Sequence, residues 1–120
     1  MPRPFRVAIA GAGPAGLYLA YLLKRRRPDV AVRMWEASSA DATWGFGVVF
    51  SERALEFLKD DDPETVAAIA PHMETWEDIT IFHRGEKVVI DGIGFSAIGR
   101  LALLKLLQGR AASVGVAPEF

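Results

Sequence analysis

The apolar run Val7-Ala8-Ile9-Ala10 stops at Gly11, which predicts a short strand buried on both faces, as in a parallel sheet. A glycine-rich turn runs from Gly11 to Gly16. From Pro14 the period changes: Leu17, Tyr18, Tyr21 and Leu22 recur at helical spacing. Lys24-Arg25-Arg26-Arg27 closes this helix with cations that suit its C-terminal dipole, and Pro28 forbids continuation. Val30 to Trp35 predicts a second strand ending at Glu36. Strand, turn, helix and strand together make one βαβ unit.

Ser38 to Phe50 reads as a long loop of small residues and glycine that carries Trp44 and Phe46. Ser51 is a good N-cap for a helix reaching Leu58, and Asp60-Asp61-Asp62-Pro63 breaks it as a solvated helix end. Glu64 to Ala70 predicts a second short helix stopped by Pro71. Asp78–His83 and Lys87–Ile90 flank Arg84-Gly85-Glu86 as a hairpin. Phe95 to Ile98 is a further extended piece. Arg100 to Val114 predicts a helix with an apolar stripe at Leu103, Leu106, Leu107, Ala111 and Val114, and Gly115 suits the position after its cap. Val116 to Phe120 begins another strand. The expected fold class is α/β: a Rossmann-like βαβ core with a parallel sheet and a small β-hairpin excursion.

Length and composition narrow the choice of function. A chain of 120 residues suggests one domain, and 51% hydrophobic with 24% charged residues is ordinary for a globular protein. A net charge of -1 gives no sign of a nucleic-acid partner or a membrane surface. The first residues run directly into the strand pattern, and the apolar stretch there is too short and too interrupted by glycine to span a bilayer. The absence of cysteine excludes disulfides and thiolate metal sites, and a cytoplasmic setting fits. His72 and His83 have no metal-ligand spacing, and the three aspartates lack the alternation and glycine of a calcium loop. Trp35, Trp44 and Trp76 read as packing residues, with Trp44 or Phe46 open to a role against a bound ring. No Ser–His–Asp set or carboxylate pair marks a protein-borne catalyst.

Gly11-Ala12-Gly13-Pro14-Ala15-Gly16 fits G-x-G-x-x-G, the turn that seats a diphosphate on a helix N-terminus. Gly11 permits the tight turn, Gly13 lets the backbone approach the phosphates, and Gly16 allows close helix–strand packing. Pro14 suits the first helical position because no N–H is needed there. Glu36 lies 20 positions beyond Gly16 (36 − 16), where an acid accepts from the ribose hydroxyls. That carboxylate repels a 2′-phosphate, so FAD or NAD is favoured over NADP. The bland reading is a tight turn in a non-binding α/β protein, with Glu36 a solvated strand end.

The run from Val7 to Leu17, with Pro14-Ala15 inside the glycines, resembles the opening of the flavoprotein monooxygenases related to para-hydroxybenzoate hydroxylase. Three further stretches resemble the members that act on aromatic acyl-CoA thioesters, such as salicylyl-CoA 5-hydroxylase and 2-aminobenzoyl-CoA monooxygenase. These are Thr43–Ser51 (TWGFGVVFS), Thr75–Ile79 with the hairpin at Phe82–Glu86, and Gly94–Arg100 (GFSAIGR). The resemblance implies that Gly11, Gly13, Pro14, Ala15, Gly16 and Glu36 bind FAD. Arg100 would lie near its diphosphate, and Gly47 and Val48 would belong to a loop beside the isoalloxazine. The alternatives are a surface arginine and a turn glycine. Trp44-Gly45-Phe46 stands where the hydroxybenzoate branch has an FAD-binding arginine. The resemblance further implies aromatic hydroxylation, in which NAD(P)H reduces FAD and one oxygen atom of O2 enters an electron-rich aromatic substrate. It also implies that residues 1–120 are the N-terminal portion of an FAD-binding domain, incomplete and without its substrate domain. An unfinished sheet edge would favour an oligomer. A non-catalytic dinucleotide-binding or interaction fragment, and an NAD-dependent dehydrogenase domain, are the competing readings.

Overall fold

A computed structural model describes residues 3–120; Met1 and Pro2, at the head of the run into the first strand, lie outside the described residues. Backbone contacts divide the chain into two compact units. Among the described residues the first comprises residues 3–44 and 101–120, the second residues 45–100.

In the first unit β1 (Arg6–Ala10) pairs in parallel with β2 (Ala31–Trp35), in the register Val7↔Val32 and Ile9↔Met34. The crossover is α1 (Pro14–Arg26), so the βαβ unit stands as the periodicity implies. Leu17, Ala20 and Tyr21 of α1 are buried, together with Ile9, Val30 and Met34. Lys24 fastens the helix end to the next strand by donating from Nζ to the carbonyls of Pro28 and Val30, at 2.7 and 2.9 Å. One expectation fails here: β1 is not buried on both faces. Val7 and Ile9 turn inward while Arg6, Ala8 and Ala10 are exposed, because this unit covers only one face of its two strands.

The long helix α4 (Arg100–Ser113) buries Leu103, Leu104, Leu107 and Ala111. The inward row is therefore not quite the predicted stripe: Leu104 replaces Leu106, which is half-buried. Gly115, at φ 83°, ends the helix. Its N–H reaches the Ala112 carbonyl, and the N–H of buried Val116 reaches Ala111, the paired bonds of a Schellman motif. Beyond it the expected third strand is reduced to one parallel bridge, Trp35↔Glu119.

The second unit is built on an antiparallel sheet of order β3-β7-β4, with β3 (Gly47–Ser51), β4 (Met73–Trp76) and β7 (Phe95–Gly99). Two of these strands depart from the sequence reading. Gly47 and Val48 were expected in a loop, yet both lie in β3, paired with Gly99 and Ile98. A Cβ on Gly47 would stand 2.9 Å from the Ile98 carbonyl oxygen, so its glycine serves close strand approach rather than a turn. Strand β4, within Met73–Trp76, was not foreseen.

Helix α2 (Glu52–Asp61) starts on Ser51, whose Oγ accepts from Ala54 N–H at 3.2 Å, as expected of an N-cap. The aspartates after it are not all a solvated end. Asp62 is fully buried and caps α3 (Pro63–Ile69), accepting from the N–H and the hydroxyl of Thr65. Strands β5 (Ile79–His83) and β6 (Glu86–Ile90) form the predicted hairpin, with Arg84 and Gly85 alone in its turn.

Candidate functional site

The glycine turn leaves β1 and enters α1 with the geometry that its residue types require. Gly11 has φ 105°, a conformation that glycine adopts without a Cβ penalty. Its N–H donates to the Trp35 carbonyl at 2.7 Å, which ties the turn to the end of β2. Helix α1 has Gly13 as N-cap and Pro14 in its first turn, and no side chain caps it. The first-turn N–H groups therefore point out of the helix with the positive end of its dipole. A Cβ on Gly13 would meet no atom within 4 Å, so that side of the turn is open. Gly16 is the reverse case. A Cβ there would overlap the Gly11 carbonyl oxygen and stand 3.3 Å from Ile9 Cγ2. Its missing side chain is what lets the helix sit against the turn and β1. Ala15, the remaining residue of the pattern, is exposed.

Glu36 is brought to the same place from β2. Its Oε2 accepts from Ala12 N–H at 2.8 Å and its Oε1 from Ser38 N–H at 3.0 Å. The backbone donors of Ser38 and Ala12 hold the carboxyl below the usual glutamate range, against the opposing effect of burial. The site thus offers an ionised acceptor next to uncapped helix donors. That combination suits a ligand with anionic phosphates and a neutral, hydroxyl-bearing sugar. Gly11, Gly13, Pro14, Ala15, Gly16 and Glu36 all lie in this one site of the first unit. The sequence did not reveal Ala12, Ser38 and Trp35 as its supports, because each acts through its backbone.

The other three candidates lie in the second unit. Gly47 and Val48 are strand residues of β3, and Arg100 follows β7 with its N–H donating to the Phe46 carbonyl at 3.1 Å. The Arg100 side chain runs beside Gly45, where a Cβ would be 4.0 Å from its Cδ and Nη1. Trp44 and Phe46 are not packing residues: Trp44 is 82% exposed and Phe46 fully so. Trp76, by contrast, stacks on Phe95 with ring centroids 6.0 Å apart. A cleft of this unit is lined by Glu52, Leu55, Thr75, Glu77, Phe95 and Ser96, with the Thr75 and Ser96 hydroxyls 3.0 Å apart. Among the described residues no three His, Asp or Glu side chains gather as a metal site, and no helix is long and apolar enough to cross a membrane.

No family model matches the chain. Over 115 residues it is 44% identical to a salicyloyl-CoA 5-hydroxylase of Streptomyces sp, covering 96% of this chain and 22% of that enzyme. Over 113 residues it is 31% identical to a 3-hydroxy-4-methyl-anthranilyl-(aryl-carrier protein) 5-monooxygenase of Streptosporangium sibiricum, covering 92% and 32%. The chain therefore spans between about a fifth and a third of the curated relatives it matches. In fold it resembles the solved structure of 2-methyl-3-hydroxypyridine-5-carboxylic acid oxygenase, with a TM-score of 0.80 at 24% identity over 98% of this chain and 31% of that one.

Proposed function

We infer that the chain belongs with the flavin-dependent aromatic monooxygenases, spans part of such an enzyme, and holds the adenosine diphosphate half of FAD on its glycine turn. The observation that carries the nucleotide-binding part of this reading is the pairing of Glu36 with an uncapped helix N-terminus whose Gly13 side is open; the choice of FAD rests on the similarity to the hydroxylase from Streptomyces and the carrier-protein monooxygenase. The first-turn N–H groups of α1 bind the diphosphate. Glu36, ionised at neutral pH, takes the ribose hydroxyls with the lone pairs that Ala12 and Ser38 leave free. The same negative charge disfavours a 2′-phosphate. Gly47, Val48 and Arg100 are proposed as further FAD contacts on the family resemblance, Arg100 through a guanidinium suited to phosphate.

When bound, FAD supplies the electron transfer and oxygen insertion, and the protein's part is to bind, orient and exclude water. NAD(P)H is the proposed reductant and an aromatic acyl-CoA thioester the proposed substrate. The second choice follows the hydroxylase from Streptomyces and the carrier-protein monooxygenase, whose names both describe thioester-bound aromatic acids. A cytoplasmic location and self-association are part of the same proposal.

Titration calorimetry of the purified chain with ADP, FAD, NAD and NADP tests the reading. Expected are binding of ADP and FAD, and at least about tenfold weaker binding of the 2′-phosphorylated ligand. A chain that takes NAD in preference to FAD is a dehydrogenase domain, and that outcome overturns the flavin assignment; a longer chain carrying the rest of the domain that also takes none of the four marks an interaction fragment and overturns it equally.

A further inference from the structure

We propose that Glu36 is a positioning residue for the glycine turn: its carboxylate holds the turn in its binding shape before any nucleotide arrives. This deepens the reading above, but its first test does not depend on it. Ala12 is 3% exposed, and its N–H donates to Glu36 Oε2 at 2.8 Å. The second oxygen is fixed by Ser38 N–H at 3.0 Å, so the carboxylate is braced from both sides and cannot swing into solvent without losing two donors. The residue itself is anchored by its N–H to the Glu119 carbonyl at 2.8 Å. Across a separation of 24 residues, the Ala12–Glu36 bond is the side-chain counterpart of the bond from Gly11 N–H to the Trp35 carbonyl.

Two neighbouring turn residues are thus held to two neighbouring residues at the end of β2. One of those bonds is charge-assisted and therefore the stronger kind. A carboxylate has about four acceptor sites. The brace uses one on each oxygen and leaves others for ribose hydroxyls. The turn is then ordered in advance, and a ligand meets it without an ordering penalty.

The first test is amide hydrogen exchange of the ligand-free chain, read by NMR, in the native sequence, Glu36→Ala and Glu36→Gln. The proposal expects protected Ala12 and Ser38 amides in the native chain. In Glu36→Ala both should exchange about tenfold faster or more, while Leu107 in α4 keeps its rate. Glu36→Gln offers one accepting oxygen and should keep one of the two amides protected. An Ala12 amide that exchanges equally fast in all three proteins overturns the proposal.

The second test compares ADP with 2′,3′-dideoxy-ADP. A positioning role weakens both ligands in Glu36→Ala, 2′,3′-dideoxy-ADP by about tenfold and ADP by at least as much, because the turn that meets the diphosphate is loosened. If only ADP weakens, Glu36 is a ribose contact and nothing more. If neither the native chain nor the longer one binds either ligand, the dinucleotide reading fails while the exchange experiment still decides the brace.

Discussion

At the scale of single residues, Glu36, Gly16 and Asp62 show how differently a side chain's role can be written. Glu36 was legible from its spacing alone, and its environment adds a pH dependence. Its carboxyl titrates below the ordinary range in the folded chain, so the unfolded chain takes up the proton first. The stabilisation is complete above the unfolded value of about 4.3 and is lost as pH falls through the lower folded value. Denaturation midpoints should therefore drop on acidification below that value, and Glu36→Gln should flatten part of the drop. The remainder has the same sign, since Arg33 lowers Glu119 and Arg27 lowers Asp29.

Gly16 was also legible, and Gly16→Ala should destabilise the chain by about 2 kcal/mol, read by urea denaturation, because its methyl group overlaps the Gly11 carbonyl. Asp62 was not legible. A run of three aspartates looks solvated, and only the fold shows that the third is enclosed and bonded to Thr65. Asp62→Ala should cost about 2 kcal/mol in the same assay by removing a buried cap.

At the scale of elements, helices and the hairpin were read better than the sheet of the second unit. The hairpin turn has Arg84 at φ 48° and Gly85 at φ 81°, the pair of positive values of a type I′ turn. Arginine is a poor residue for that conformation. Arg84→Asn should raise the thermal midpoint, with a gain of about 0.5 kcal/mol, whereas substituting Gly85 should lower it. Strands β3 and β4 escaped the sequence reading for a physical reason. Gly45 and Gly47 look like loop punctuation, and Met73–Trp76 has only four residues and no alternation of buried and exposed positions. Each is a strand because it flanks β7, with Phe50 and Thr75 both opposite Ser96. Strand pairing of this kind is non-local, and no window of sequence contains it.

At the scale of the whole molecule, burial is unequally shared. The first unit holds most of the enclosed apolar residues, from Ile9 and Leu17 to Leu107 and Val116. In the second unit the β5–β6 hairpin is nearly all exposed, with Ile81, Phe82, Val88 and Val89 between 46% and 76% accessible. Stability should follow that distribution. Amide exchange is expected to be fastest in residues 79–90 and slowest in α1 and the buried turns of α4, separated by about a hundredfold or more. Uniform protection across the chain would contradict it.

The sequence by itself determined the βαβ unit, the glycine turn, the acid at the end of the second strand, the caps of α2 and α4 and the hairpin. Each of these is a local matter of periodicity, φ preference or fixed spacing. Tertiary structure alone decided that Gly47 and Val48 are strand residues, that Asp62 is buried, that Trp44 and Phe46 are bare, and that Glu36 grips the Ala12 amide. Those outcomes depend on which distant backbone comes to lie alongside, and a residue type does not carry that information.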